Sequence, residues 1–186
     1  DEAILNILSE ASFIGGPAVK SFQSNLEKYL GVKDVIPCAN GTDALQVALM
    51  ALDLKPGDEV ITPPITFIAT QATAALFGAT IVFADIQGDT ANIDPKSVEV
   101  AITPRTKAIV AVDYAGHPAD LEELREIADR HGIYLIEDAA HSIGSIYKGS
   151  PVGSIADITT FSFFPTKNIT TGEGGAVSTN DPELLK

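Results

Sequence analysis

What most constrains the fold of this chain is an alternation kept up along nearly its whole length. Short apolar, β-branched runs at 35–38, 59–62, 80–84, 107–112, 133–137, 158–163 and 175–178 take turns with stretches of helical spacing. Leu45, Ala48, Leu49 and Leu52 recur as one helix face, and Ile68, Ala69, Ala72, Ala75 and Leu76 as a second. A third pattern, over residues 119–130, sets Leu121, Leu124, Ile127 and Ala128 on one side and is closed by Gly132 at the C-cap. Strand and helix in alternation predict an α/β domain of three layers, α/β/α, around a mainly parallel seven-stranded sheet. In such sheets ligands bind beyond the carboxyl ends of the strands. The residues just past each strand are therefore the ones to read for function.

Composition sets the outer limits. With 186 residues, 45% of them hydrophobic, the chain can bury one sizeable core, which fits one domain or most of one. A formal charge of −13 with no cationic block argues against a general nucleic-acid binder. The single cysteine, Cys38, excludes an intramolecular disulfide and a cysteine-rich metal site, and in "VIPCANG" it reads as a small apolar filler at a strand end. No apolar run reaches the roughly 18 residues of a membrane span, and no signal-peptide pattern opens the sequence, so a cytoplasmic protein is expected. The first residue is Asp1, and "NDPELLK" breaks off within a pattern; both suggest part of a longer polypeptide.

Four strand ends carry the candidate chemistry. After the first comes "ANGTDAL", where Asn40-Gly41 turns the chain and Thr42 or Asp43 caps a helix. Free N–H groups at that helix start suit a phosphate, although a capped helix after a tight turn has the same sequence. Neither G-x-x-x-x-G-K-[ST] nor G-x-G-x-x-G occurs. After the second comes "PPITFIAT", with Thr66 as a helix cap and Phe67 in the first turn, either packing on a flat ligand or plugging the core. After the fifth comes "IEDAAHSIG", which puts the Glu137 and Asp138 carboxylates at the sheet edge and His141 a turn further on. An aspartate there can cap a helix, bind a metal or pair with a protonated heterocyclic nitrogen; no second ligand at metal spacing stands nearby. The sixth strand leads into "FSFFPTKNITTGEGGAV", with Ser162 inside the aromatic run and Lys167 in weakly polar surroundings. A lysine in such a site loses charge stabilisation and becomes a nucleophilic amine suited to Schiff-base formation. A phosphate cradle, an aromatic, a strand-end aspartate and a lysine amine together are what pyridoxal 5'-phosphate demands.

Read as whole segments, "FIGGPAVKSFQSNLEKYLGV", "NGTDALQVAL", "GDEVITPPITFIAT", "ITPRTKAIVAVDYAGHPADL", "IEDAAHSIGSIYKG" and "FSFFPTKNITTGEGGAV" closely resemble the nucleotide-sugar aminotransferases. These are pyridoxal-phosphate enzymes of the aspartate-aminotransferase-like, fold-type I class. The resemblance implies that residues 1–186 are the cofactor-binding large domain, led in by residues 1–30, with the family's small C-terminal domain absent from this chain. It implies Lys167 as the Schiff-base lysine and the acid–base group, and Asp138 as the partner of the pyridine nitrogen. It implies Phe67 against the ring, Gly41, Thr42, Asp43 and Ser162 around the phosphate, and His141 near the 3-hydroxyl. Ile14, in "FIGGP", falls in a loop near the substrate. The expected reaction moves an amino group from an amino acid, typically glutamate, to a keto-sugar nucleotide, for amino-sugar and surface-polysaccharide biosynthesis, in a homodimer with sites at the subunit interface. Two other readings stay open: a sugar dehydratase of the same fold, disfavoured because dehydratases replace the lysine by histidine, and a cofactor-binding or regulatory protein without turnover.

Overall fold

The computed structural model describes residues 2–185. In chain order the elements are α1 (Glu2–Glu10), α2 (Pro17–Leu30), β1 (Asp34–Cys38), α3 (Gly41–Ala51), β2 (Glu59–Thr62) and α4 (Ala69–Leu76). They continue with β3 (Thr80–Phe83), α5 (Pro95–Ala101), β4 (Thr106–Val112), α6 (Leu121–His131) and β5 (Tyr134–Asp138). A two-stranded hairpin, β6 (Ile146–Tyr147) and β7 (Ser150–Pro151), precedes β8 (Ile158–Ser162) and β9 (Gly175–Thr179). All seven strands predicted from the sequence are present, and they form one sheet in the order β1-β9-β8-β5-β4-β2-β3. The run from β8 to β3 is parallel; β9 lies antiparallel between β1 and β8.

Side chains alternate across the sheet, so each strand feeds two cores. On one face α3 and α4 set Leu45, Leu49 and Ala74 against Val60, Val110, Ile136 and Ile158. On the other, α6 sets Leu121, Leu124 and Ile127 against Ile61, Ile109 and Leu135, while Leu26 and Leu30 of α2 cover Val35, Phe161 and Ala176. Fully burying an aliphatic side chain of this kind contributes about 1.5–3 kcal/mol, which is why strands with both faces apolar belong at the centre. The expected three layers result.

Helix ends show where local chemistry differs from the sequence reading. Helix α6 has Glu122 and Glu123 in its first turn, Arg130 and His131 in its last, and Gly132 in the left-handed region at φ 64°, as its pattern predicts. Helix α3 is capped by neither Thr42 nor Asp43: Asn40 is the cap, and its Oδ1 accepts the Asp43 N–H at 2.8 Å. Thr66 does not cap α4, which begins at Ala69 with no side-chain cap; Phe67 therefore precedes the helix. The buried side of α4 is Ala69, Thr70, Thr73 and Ala74, while Ile68 and Leu76 face outward. Helices α1, α2 and α5 and the β6–β7 hairpin lie outside the elements the sequence pattern defined.

Candidate active site

At the carboxyl ends of the parallel strands, on the side of α3 and α4, lies a cavity of about 830 Å³. Gly41, Thr42, Asp43, Phe67, Asp138, His141, Ser162 and Lys167 all line it. Ile14 does not: it sits in the turn between α1 and α2 and is 96% exposed.

One end of the cavity is an anion cradle made from backbone. The Asn40 cap takes only the Asp43 N–H, so among the described residues the Gly41 and Thr42 N–H groups have no acceptor and are left for a ligand. This helix start is pressed onto the end of β8. A Cβ on Gly41 would lie 2.7 Å from Ser162 Cβ and 3.0 Å from its Oγ. Only glycine lets the two strand-end segments approach so closely.

Below the other end of the cavity stands Asp138. It is buried, its Oδ1 accepts the Ala140 N–H at 3.2 Å and its Oδ2 accepts the Thr70 hydroxyl at 3.0 Å. Thr70 has one proton and gives it to Asp138, so the 2.9 Å contact between Thr66 and Thr70 must be donated by Thr66. Burial pushes the Asp138 carboxyl above the usual carboxylate range, while the Thr70 and Ala140 donors and the Lys167 and His141 charges oppose that push. Replacing Thr70 by valine is expected to raise the Asp138 pKa further and to cost about 1–3 kcal/mol in denaturant unfolding, with serine restoring most of it. An equally stable valine variant would show that the hydroxyl does not support the carboxylate. Glu137, which the sequence placed at the same edge, projects from β5 to the opposite face and does not line the cavity.

Lys167 follows β8 in a loop held by Lys167 N–H to Phe164 C=O (2.9 Å), Thr171 N–H to Phe163 C=O (3.1 Å) and Thr170 hydroxyl to Phe163 C=O (2.9 Å). Among the described residues nothing hydrogen-bonds or ion-pairs with its Nζ. Partial burial lowers its pKa, and the Asp138 charge only partly restores it. Burial likewise lowers the His141 pKa, reinforced by the Lys167 charge and opposed by Asp138. The three groups thus share one electrostatic field. Phe67 stands 72% exposed at the mouth, not plugging the core. Cys38 is outside the lining; burial raises its thiol pKa to about 11, which keeps it protonated.

The cavity also includes residues the motifs did not single out: Asp113, Tyr114, Thr160, Phe164 and Glu173. Thr70 gave one sequence signal, a hydroxyl four residues after Thr66 in the next helical turn.

Comparison with known proteins adds an independent line. The model of the DegT/DnrJ/EryC1/StrS aminotransferase family matches residues 1–186. A UDP-2-acetamido-2-deoxy-3-oxo-D-glucuronate aminotransferase of Pseudomonas aeruginosa is 48% identical over 185 residues, covering 99% of this chain and 52% of that protein. A dTDP-3-amino-3,4,6-trideoxy-alpha-D-glucose transaminase of Streptomyces venezuelae is 43% identical, covering 100% of this chain and 49% of its own. Among solved structures, the aminotransferase from Psychrobacter cryohalolentis superposes with a TM-score of 0.95 at 42% identity, over 98% of this chain and 47% of that one. The chain spans about half the length of these relatives. A match that runs from the first residue to the last leaves no part of the chain outside the comparison: it belongs to the DegT/DnrJ/EryC1/StrS aminotransferase family.

Proposed function

We propose that this chain is the cofactor-binding large domain of a pyridoxal-phosphate-dependent aminotransferase that transfers an amino group from an amino acid to a keto-sugar nucleotide. The observation that carries the reading is one cavity with Lys167 and Asp138 in mutual electrostatic contact and a backbone anion cradle at its end. The residues fit that cofactor. The Gly41 and Thr42 N–H groups and the Ser162 hydroxyl would hold its phosphate, Lys167 its aldehyde carbon, Asp138 its ring nitrogen and His141 its 3-hydroxyl; Phe67 would lie against the ring. Asp43 stands beside the phosphate cradle. When bound, the cofactor supplies a carbonyl for amines and a ring that accepts electrons from a bond broken beside nitrogen.

The chain's own residues do the rest. Lys167 Nζ, its charge disfavoured by burial, is the nucleophile, and once released by the incoming amino acid it takes the proton from the donor's α-carbon. Asp138 keeps a proton on the ring nitrogen by remaining ionised, which its two hydrogen-bond donors favour. In the acceptor half of the reaction the same amine would supply the proton to the acceptor carbon. The named relatives act on UDP- and dTDP-linked sugars, which supports a sugar nucleotide as acceptor. Glutamate is the proposed donor, a second subunit the proposed completion of the site, and the small C-terminal domain the proposed content of the length that the relatives have beyond this match.

Borohydride reduction of the intact protein in pyridoxal phosphate, followed by peptide mass mapping, tests the assignment. A cofactor adduct on Lys167 is expected; an adduct on another lysine alone, or none, overturns it. Gly41→Ala adds a methyl group against Ser162, an overpacking cost of about 1–3 kcal/mol. It is expected to weaken pyridoxal-phosphate affinity by about tenfold or more, read by absorbance titration. Unchanged affinity would remove α3 from the phosphate site.

A further inference from the structure

Two acids outside this mechanism are buried: Glu137, which projects to the sheet face opposite Asp138, and Asp113, just past β4 at the border of the cavity. The β4–β5 register sets Ala111 beside Glu137, and Asp113 comes two residues later on the same face. Asp113 Oδ1 accepts the Ala119 N–H at 2.9 Å and its Oδ2 accepts the Ser142 hydroxyl at 2.5 Å. Glu137 Oε2 accepts the Gly153 N–H at 3.0 Å and the Thr159 hydroxyl at 2.9 Å, but its Oε1, equally buried, receives no donor. The register brings the two side chains together, and each carboxyl group acts on the ionisation of the other. From outside the pair the Asp138 charge also acts on Asp113 and disfavours its ionisation.

Two acids in such contact cannot both be ionised. Donor counting decides where the proton sits. Both Asp113 oxygens accept a hydrogen bond, which favours its charged form, whereas Glu137 has one buried oxygen with no donor. Glu137 Oε1 is free to carry the proton and to give it to Asp113. Burial raises both groups, Asp113 to about 6 and Glu137 well above its ordinary value, which agrees with that order of ionisation.

The pair also sits where two pocket loops meet. Asp113 opens the turn carrying Tyr114, and Ser142, which it accepts from, follows His141. That turn holds Ala115 at φ 53° and Gly116 at φ 87°, and a Cβ on Gly116 would lie 2.9 Å from the His141 carbonyl oxygen. Ser145 closes the contact by donating to the Gly116 carbonyl at 2.8 Å. We propose that Glu137 is a neutral acid hydrogen-bonded to an ionised Asp113, and that this one-proton pair positions the Tyr114 and His141 loops from beneath the sheet. Glu137 is then a positioning residue that never touches the ligand.

Infrared difference spectra of the intact protein at neutral pH, with E137Q and D113N, test the proton. Glutamine reproduces the neutral acid, with an N–H toward Asp113 and an oxygen toward Gly153 and Thr159. E137Q should therefore abolish a protonated-carboxyl carbonyl band and keep the unfolding constant within about threefold of wild type, while D113N, which removes the charge and leaves one accepting oxygen where the carboxylate has two, raises it about tenfold or more. No band lost in E137Q, or D113N tolerated as well as E137Q, overturns the proton assignment. For positioning, E137A should weaken pyridoxal-phosphate binding about tenfold, with E137Q near wild type; equal affinity of E137A and wild type overturns it. If E137A does not fold, the positioning claim is decided by S142A, which breaks the tie from Asp113 to the His141 loop without touching the cavity lining and must bind the cofactor more weakly than E137Q. These binding arms rest on the proposed cofactor site. A wild-type protein that binds no pyridoxal phosphate would defeat that site and the positioning role, whereas the infrared arm judges the proton independently.

Discussion

Replacing Lys167 by alanine is expected to lower amino transfer by about 10³-fold or more, while pyridoxal phosphate still binds without a covalent bond. Two jobs are lost together: the nucleophilic amine and the base that carries the proton between carbons. No second amine stands in the cavity lining among the described residues, where His141 is the other basic side chain. Activity within tenfold of wild type would mean that another group moves the proton. The same amine gives a pH prediction. Burial disfavours its cationic form, so neutral amine accumulates at lower pH than for an ordinary lysine. Reaction of Lys167 with an amine-selective reagent, followed by peptide mapping, should rise at lower pH than that of an ordinary lysine side chain. Coincident profiles would remove the electrostatic basis for its nucleophilicity.

The second large effect is at Asp138. Asp138→Ala is expected to cut amino transfer by about 10²–10³-fold, the scale seen when one preorganised electrostatic partner is removed. Borohydride trapping on Lys167 should survive far better than turnover, since capture of an aldehyde does not need a protonated ring. Equal loss of both would point to general damage of the cavity rather than an electronic role. A further consequence reaches Lys167. The Asp138 charge raises the lysine pKa, so its removal lowers that pKa and moves the amine's labelling profile to still lower pH. A profile that stays in place would show that the two groups do not feel each other.

Much of the scaffold was legible because its physics is local. Residues 107–112 read as a strand because a centre strand buries both faces, and helix α6 read cleanly because Leu121, Leu124, Ile127 and Ala128 repeat at helical spacing before Gly132. Helix α4 was misread in its facing because "ATQATAAL" offers small residues on every side. What decided its orientation was the Thr70 hydroxyl finding Asp138, 68 residues away in sequence. The lining of the cavity was legible at strand ends through glycine, aspartate and lysine. Its support was not: Asn40 as the cap and Glu137 beneath the sheet depend on which neighbour the fold brings up. The sequence reading put Glu137 and Asp138 at one sheet edge; strand alternation sends them to opposite faces, and the cores on either side decide which one meets the cavity. Ile14 falls in a loop whose placement in the sequence motif carries no contact with this cavity.

The order of the sheet has a consequence in time. Strand β1 pairs only with β9, from Asp34 opposite Thr179 to Cys38 opposite Gly175, so its partner lies about 140 residues downstream. At a synthesis rate of roughly 5–20 residues per second, β1 waits on the order of ten seconds on the ribosome with no strand beside it. During that interval β8, once made, has a free edge as well, and β9 arrives last to close both. The helix start that forms the anion cradle hangs directly from β1. The anion cradle is thus among the last parts of the sheet edge to gain its support.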